Sequence, residues 1–191
     1  MADAKAQGWY LSESFHPFVK LAFASIYSFI PGRKTLDLGA IPPELAAALE
    51  PHKDELARRA ACFVSLKMRG QLRGCIGTIE PLAPSLAEEI VQNAISASTR
   101  DPRFPPVTVA ELDKLNVSVD VLSEPRPAKE SELDPKRYGL IIEQGYRRGL
   151  LLPDLEGVDD VRTQKSIVAQ KGGIDLLRPH NMLIFTVDRY V

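Results

Sequence analysis

Cys62-Phe63-Val64-Ser65-Leu66-Lys67-Met68-Arg69-Gly70-Gln71-Leu72-Arg73-Gly74-Cys75-Ile76-Gly77 is the stretch whose reading decides the fold. Its first seven residues alternate in polarity as a half-buried strand does, Arg69-Gly70 is a tight-turn dipeptide, and Gln71 to Ile79 returns. The stretch is a β-hairpin. With two central turn residues, Met68 faces Gln71 and Val64 faces Cys75, which would set Cys62 diagonally across from Cys75 on one face.

Downstream, Ser85-Leu86-Ala87-Glu88 is a capping box, and Leu86, Ile90, Val91, Ala94 and Ile95 keep helical spacing to about Ala97. A proline-stiffened loop, Arg100-Asp101-Pro102-Arg103-Phe104-Pro105-Pro106, leads to a short helix near Val109 to Leu115 and a strand from Asn116 to Leu122. After a polar linker, Glu124 to Lys136, the order repeats. Gly139 to Glu143 is a strand, Gln144-Gly145 a turn, and Tyr146 to Leu152 the returning strand. A helix over Val161 to Lys171 stops at Gly172-Gly173, and Met182 to Tyr190 is the last strand. Upstream, Phe15, Phe18, Val19, Ala22, Phe23, Ile26 and Ile30 mark an amphipathic helix over about 15–30.

Aligned at their turn glycines, Gly70 to Ile76 lies over Gly145 to Leu151, so that Gly74 matches Gly149, Arg73 matches Arg148 and Cys75 falls on Leu150. The expected fold is a pseudo-duplicated α+β protein of hairpin, helix and strand units with mainly antiparallel sheets. It forms a single domain over 1–191, with pseudo-repeats at about 61–123 and 139–191. Because an aliphatic residue takes the place of Cys75 in the second repeat, the hairpin's shape does not itself call for a thiol.

Composition narrows the function classes. The 191 residues are 45% hydrophobic and 26% charged, which fits a globular chain and excludes collagen-like or disordered readings. Lys and Arg number 24 against 25 Asp and Glu, with no block of one sign, so nucleic-acid binding is disfavoured. Two cysteines are too few for a disulfide scaffold or a four-ligand zinc site, and read as free thiols. With no secretory leader and no apolar run of membrane length, a cytoplasmic protein without a membrane role is expected.

The candidate site residues cluster in two segments. In the first, Gly74 and Gly77 bracket Cys75 within a strand, where glycine is costly unless a ligand or a neighbouring backbone comes close. Cys75 is the candidate nucleophile, Arg73 the cation that would activate it, and Thr78 extends the segment. In the second, Arg100, Asp101 and Arg103 sit on the stiff loop, where fixed guanidinium forks suit a polar or anionic substrate. The competing reading makes the same loop an Arg–Asp pair that ties down a connection. His16, His52 and His180 lie in no catalytic signature, and no metal or cofactor motif stands out.

Leu72-Arg73-Gly74-Cys75-Ile76-Gly77, Asp101-Pro102-Arg103-Phe104-Pro105-Pro106-Val107 and Gly149-Leu150-Leu151-Leu152-Pro153, in that order, resemble the AMMECR-one domain family. The resemblance runs from about Leu21 to the C-terminal strand; it departs at Gly172-Gly173, where the family more often has Ala-Gly. It implies two unequal subdomains with a cleft between them, and an association with a Memo-like protein and a radical SAM protein in the AmmeMemoRadiSam set. It supplies no reaction and no cofactor. The functional expectation is an enzyme or enzyme component acting through Cys75, or else a noncatalytic adaptor for a Memo-like partner.

Overall fold

The computed structural model describes residues 12–191 and divides into two compact units. The first holds the chain up to Val121 together with Arg189–Val191, and the second holds Leu122–Asp188.

In the first unit, α1 (Pro17–Gly32) opens with Pro17 at its first turn and His16 as its cap, Nδ1 accepting the Phe18 N–H. Its residues from Phe18 to Ile26 are buried on every side. The helix runs two residues past the expected stop and takes in Pro31. A proline there removes a single amide near an end that is closed by the left-handed Arg33. Short helices α2 (Pro43–Leu49) and α3 (Lys53–Ala57) precede the hairpin β1 (Cys62–Met68) and β2 (Gln71–Gly77). Then come α4 (Leu86–Thr99), capped by Ser85 as its sequence demands, a 3₁₀ turn (Val109–Lys114) and β3 (Leu115–Leu122). The sheet order is β2-β1-β3-β8, where β8 (Val187–Tyr190) is the last strand of the chain. Cys62, Val64 and Leu66 of β1 join α1 and α4 in one core.

The hairpin register corrects one expectation. Met68 does face Gln71, but the ladder then slips: Lys67 pairs with Leu72 and Leu66 with Gly74, leaving Arg73 as an extra bulged residue. Cys75 therefore faces Ser65, not Val64. A one-residue slip moves a side chain to the other face. Cys62 points into the core, where Asn93 of α4 donates to its carbonyl at 3.0 Å, and Cys75 lies on the face turned away from α4. The two thiols do not share a face.

In the second unit, β5 (Gly139–Gln144) and β6 (Arg147–Leu151) form a hairpin whose turn residues are Gly145-Tyr146, and α5 (Val161–Gly172) packs on both strands. The expected last strand, Met182 to Tyr190, is two strands. β7 (Asn181–Phe185) pairs with β5, whereas β8 belongs to the sheet of the first unit. The expected linker contains β4 (Arg126–Pro127), which pairs with β7 to give the order β4-β7-β5-β6.

Each unit therefore has a hairpin, a helix lying on it, and a following strand that pairs antiparallel with the first hairpin strand. The fold is α+β. In both, a glycine admits the helix: a Cβ on Gly74 would run into the Ala97 carbonyl of α4, and one on Gly149 into the Val168 carbonyl of α5. The returning strand is one residue longer from turn to glycine in the first unit, and the bulge at Arg73 absorbs that residue.

Candidate functional site

β2 is an edge strand, and the proline-rich loop covers it. Ser65 and Cys75 form a cross-strand pair in which the peptide groups of Cys75 face outward, away from β1. Asp101, which is buried, accepts the Cys75 N–H at 2.8 Å, and Arg103 donates from Nη2 to the Cys75 carbonyl at 3.3 Å. Arg103 also grips the Asp101 carboxylate through Nε (2.9 Å) and Nη2 (2.7 Å) and donates its own peptide N–H to it. The hydrogen bonds from Arg103, followed by that from the Cys75 amide, hold Asp101 well below the usual carboxylate range against the opposing effect of burial. Two side chains thus do what a neighbouring strand would do.

Arg73, the bulged residue, secures the far end of the same loop. Its Nε bonds Glu111 at 2.8 Å, Nη1 bonds the Pro105 carbonyl at 2.9 Å, and Nη2 reaches the Pro106 carbonyl and Glu111. The guanidinium beside it pulls the Glu111 carboxyl down to about 2, and Glu111 in turn caps the 3₁₀ turn through Thr108. Arg73 is almost wholly enclosed and its fork is committed inside the protein. Thr78 is likewise committed: its hydroxyl donates to the buried Glu89, which also accepts the Leu82 and Ala83 amides. Gly77 lies against the Phe63 ring. Arg100 is exposed at the end of α4, and Arg103 keeps about half its side chain in solvent.

The Cys75 thiol is left as the group of this segment that the packing does not absorb. It is half-buried, and the Ser65 hydroxyl donates to its Sγ at 3.1 Å. Ser65 is also opposite Ser118 on β3, so the face away from α4 carries a row Cys75–Ser65–Ser118 across three strands. The neighbouring row is Gly77–Phe63–Asp120, where buried Asp120 holds Arg189 in a bidentate pair at 2.7 and 3.0 Å. Burial pushes the other thiol, Cys62, up to about 12, which marks it as inert. None of the three histidines is the hydrogen-bond partner of Cys75: His16 meets His52 edge to face, and His180 bonds the Arg178 carbonyl. Among the described residues no group of three or more His, Cys, Asp or Glu side chains is arranged to hold a metal, and no helix is long and apolar enough to cross a membrane.

The AMMECR1 family profile matches residues 19–190. The chain belongs to the AMMECR1 family. A Thermotoga maritima protein is 48% identical to it over 179 residues, covering 92% of this chain and 97% of the relative. A Clostridium acetobutylicum protein is 42% identical over 174 residues, and there this chain spans only 36% of the relative's length. The crystal structure of an uncharacterized protein from Pyrococcus horikoshii, PH0010, superposes with a TM-score of 0.77 at 30% identity, covering 91% of this chain and 89% of that one.

In this AMMECR1 chain the structure brings Arg73, Gly74, Cys75, Asp101 and Arg103 together, with Gly77 and Thr78 following along the same hairpin. Reading the sequence missed Ser65, Ser118 and Glu111. The alternation of β1 already groups Ser65 with Phe63 and Lys67 on one face, but only the bulge carries Cys75 to that face.

Proposed function

We propose that this AMMECR1 chain is an enzyme or enzyme component whose reacting group is the Cys75 thiol, working in the cytoplasm beside Memo-like and radical SAM proteins. One observation carries the reading. At the register position where the second sheet has the apolar pair Ile141 and Leu150, the first has Ser65 and Cys75, joined by a hydrogen bond. Neither hairpin needs sulfur there for its shape. The thiol also sits on a backbone whose N–H and C=O are both held by side chains, the fixed support that a reacting group requires.

Asp101, Arg103 and Arg73 are then positioning residues, and Gly74 and Gly77 provide space. Substrate contact falls to Arg100 and to the solvent-facing part of Arg103, whose guanidiniums suit a polar or anionic group. The shared strand order and the matched Gly74 and Gly149 support treating the two units as one repeated design, of which the first carries the chemistry.

A noncatalytic adaptor is the second reading, favoured by the hydrogen bonding of Cys75, which includes no base. Thiol labelling at neutral pH decides between them, together with complementation of a deletion strain by Cys75→Ala. Fast labelling of Cys75 and failed complementation are expected. Labelling only after unfolding, with full complementation, makes the chain an adaptor.

A further inference from the structure

Two large apolar side chains stand almost fully in solvent in the second unit: Leu177 is 97% exposed and Tyr146 is 92% exposed. Scattered apolar residues on a surface are ordinary, but these two share one end of the unit. Gln144, the last residue before the hairpin turn, donates to the Asp175 carbonyl at 2.8 Å and the Pro179 carbonyl at 3.3 Å, and accepts the Asp175 N–H at 3.0 Å. Arg147, just after the turn, donates to the Gly173 carbonyl at 2.7 Å. The loop after α5 is therefore fastened across the hairpin end that carries Tyr146. Within it Asp175 Oδ1 accepts the Leu177 N–H at 3.0 Å, and Leu176 packs on the core of the unit while Leu177 is turned out. The loop after α4 does the opposite, with Val107 buried and Phe104 half-buried. The surroundings are cationic. The Arg147 guanidinium lies 5.7 Å from the centre of the Tyr146 ring, and Lys171 and Arg178 are exposed beside it in sequence and loop. Asp175, the one carboxylate between Gly173 and His180, is already engaged by the Leu177 amide and by Arg178 at 3.3 Å, and Glu143 is paired with Arg148.

We propose that this end of the second unit is a docking surface for an acidic segment of a partner protein, which lays an apolar side chain against Tyr146 and Leu177 and sets its carboxylates toward Arg147, Lys171 and Arg178. The charges choose the occupant. A two-fold contact with a second copy would bring the same cations against themselves, whereas an acidic segment meets each with the opposite sign. Tyrosine and arginine are also the side chains on which binding energy concentrates in protein interfaces. The surface lies wholly within the second unit and is independent of the Cys75 reading.

The test is selection from a phage-displayed library of random peptides on the immobilised whole chain, followed by solution binding of synthetic copies of the selected peptides. The expected result is enrichment of peptides rich in Asp and Glu around an apolar residue. Leu177→Ser and Tyr146→Ser should each weaken their binding roughly tenfold while keeping the thermal midpoint of the parent, since both side chains stand in solvent. Lys171→Gln should weaken binding less and reduce its dependence on salt. The proposal is overturned if no acidic family is enriched, or if the enriched peptides bind a chain carrying both Leu177→Ser and Tyr146→Ser as they bind the parent. It is equally overturned if Leu177 and Tyr146 serve instead to attach the chain to vesicles of phosphatidylserine and phosphatidylcholine, or to hold a dimer that Leu177→Ser dissociates.

Discussion

The Asp101 carboxylate takes the Cys75 peptide N–H at 2.8 Å, occupying the position where the carbonyl of a further strand would lie. The edge of the first sheet is thus closed by a loop, and the loop is held by the strand whose thiol it supports.

Asp101→Ala removes the acceptor for the Cys75 amide and leaves Arg103 without its carboxylate. The expected loss of stability is about 2 to 4 kcal/mol, more than one neutral hydrogen bond contributes, because a buried donor and a charge both lose their partner. Urea denaturation gives the number. Hydrogen exchange at the Cys75 amide should accelerate beyond what the global loss accounts for; unchanged protection would show that another group closes this edge.

Acid should loosen the same loop. Glu111 has its folded pKa depressed from 4.5 to about 2, and Asp101 is depressed too, so both contribute stability that is fully present above their unfolded values near pH 4. That stability is lost as pH falls toward 2. The Glu111 depression corresponds to on the order of 3 kcal/mol. Stability measured from pH 6 down to pH 2 should therefore fall less steeply in Glu111→Gln than in the parent. Parallel curves would remove the Arg73 pair as its cause.

Gly74→Ala and Gly149→Ala should fail in the same way, since each Cβ would meet a backbone carbonyl, of Ala97 or Val168, that cannot turn aside without bending its helix. Overpacking of this kind costs about 1 to 3 kcal/mol and often more. Thermal melts of the two variants check it, and a loss under half a kcal/mol in either would show that its helix shifts easily.

Gly74 was legible in the sequence as a place of close approach and Gly149 only as its match in the second hairpin, while Ser85 and Glu88 marked the start of α4. The bulge was not legible. Arg73 fits an alternating strand by itself, and its departure from the ladder is fixed by Pro105, Pro106 and Glu111, more than thirty residues away. The split of the final strand was hidden for a similar reason. Asn181 to Tyr190 is strand-like nearly throughout, and only the pairing partners, β5 for one part and the first sheet for the other, divide it at Thr186. The sequence left Arg100, Asp101 and Arg103 open between substrate recognition and an Arg–Asp tie, and a strand edge as the target of Asp101 and Arg103 is a tertiary fact.

Cys75→Ser should fold with stability within about 1 to 2 kcal/mol of the parent, since the site is half-buried and Ser65 is present to bond the new hydroxyl. Chemical denaturation checks this. A larger loss would mean that sulfur fills space here as a packing group, against the role proposed for it.

Ser65→Ala isolates the chemistry from the fold. The Ser65 hydroxyl donates to Sγ at 3.1 Å and so holds the sulfur in one position across the two strands. Ser65 is half-buried on the face away from α4, so its loss should cost no more than about 1 kcal/mol, the contribution of one modest hydrogen bond. The rate of Cys75 labelling by a small alkylating reagent should nevertheless change several-fold, since the sulfur loses the contact that orients it. Ser118→Ala, one strand further along the row, should change the rate less. If Ser65→Ala labels at the parental rate, the hydroxyl does not orient the thiol, and the pair would then be no more than a polar contact on a sheet.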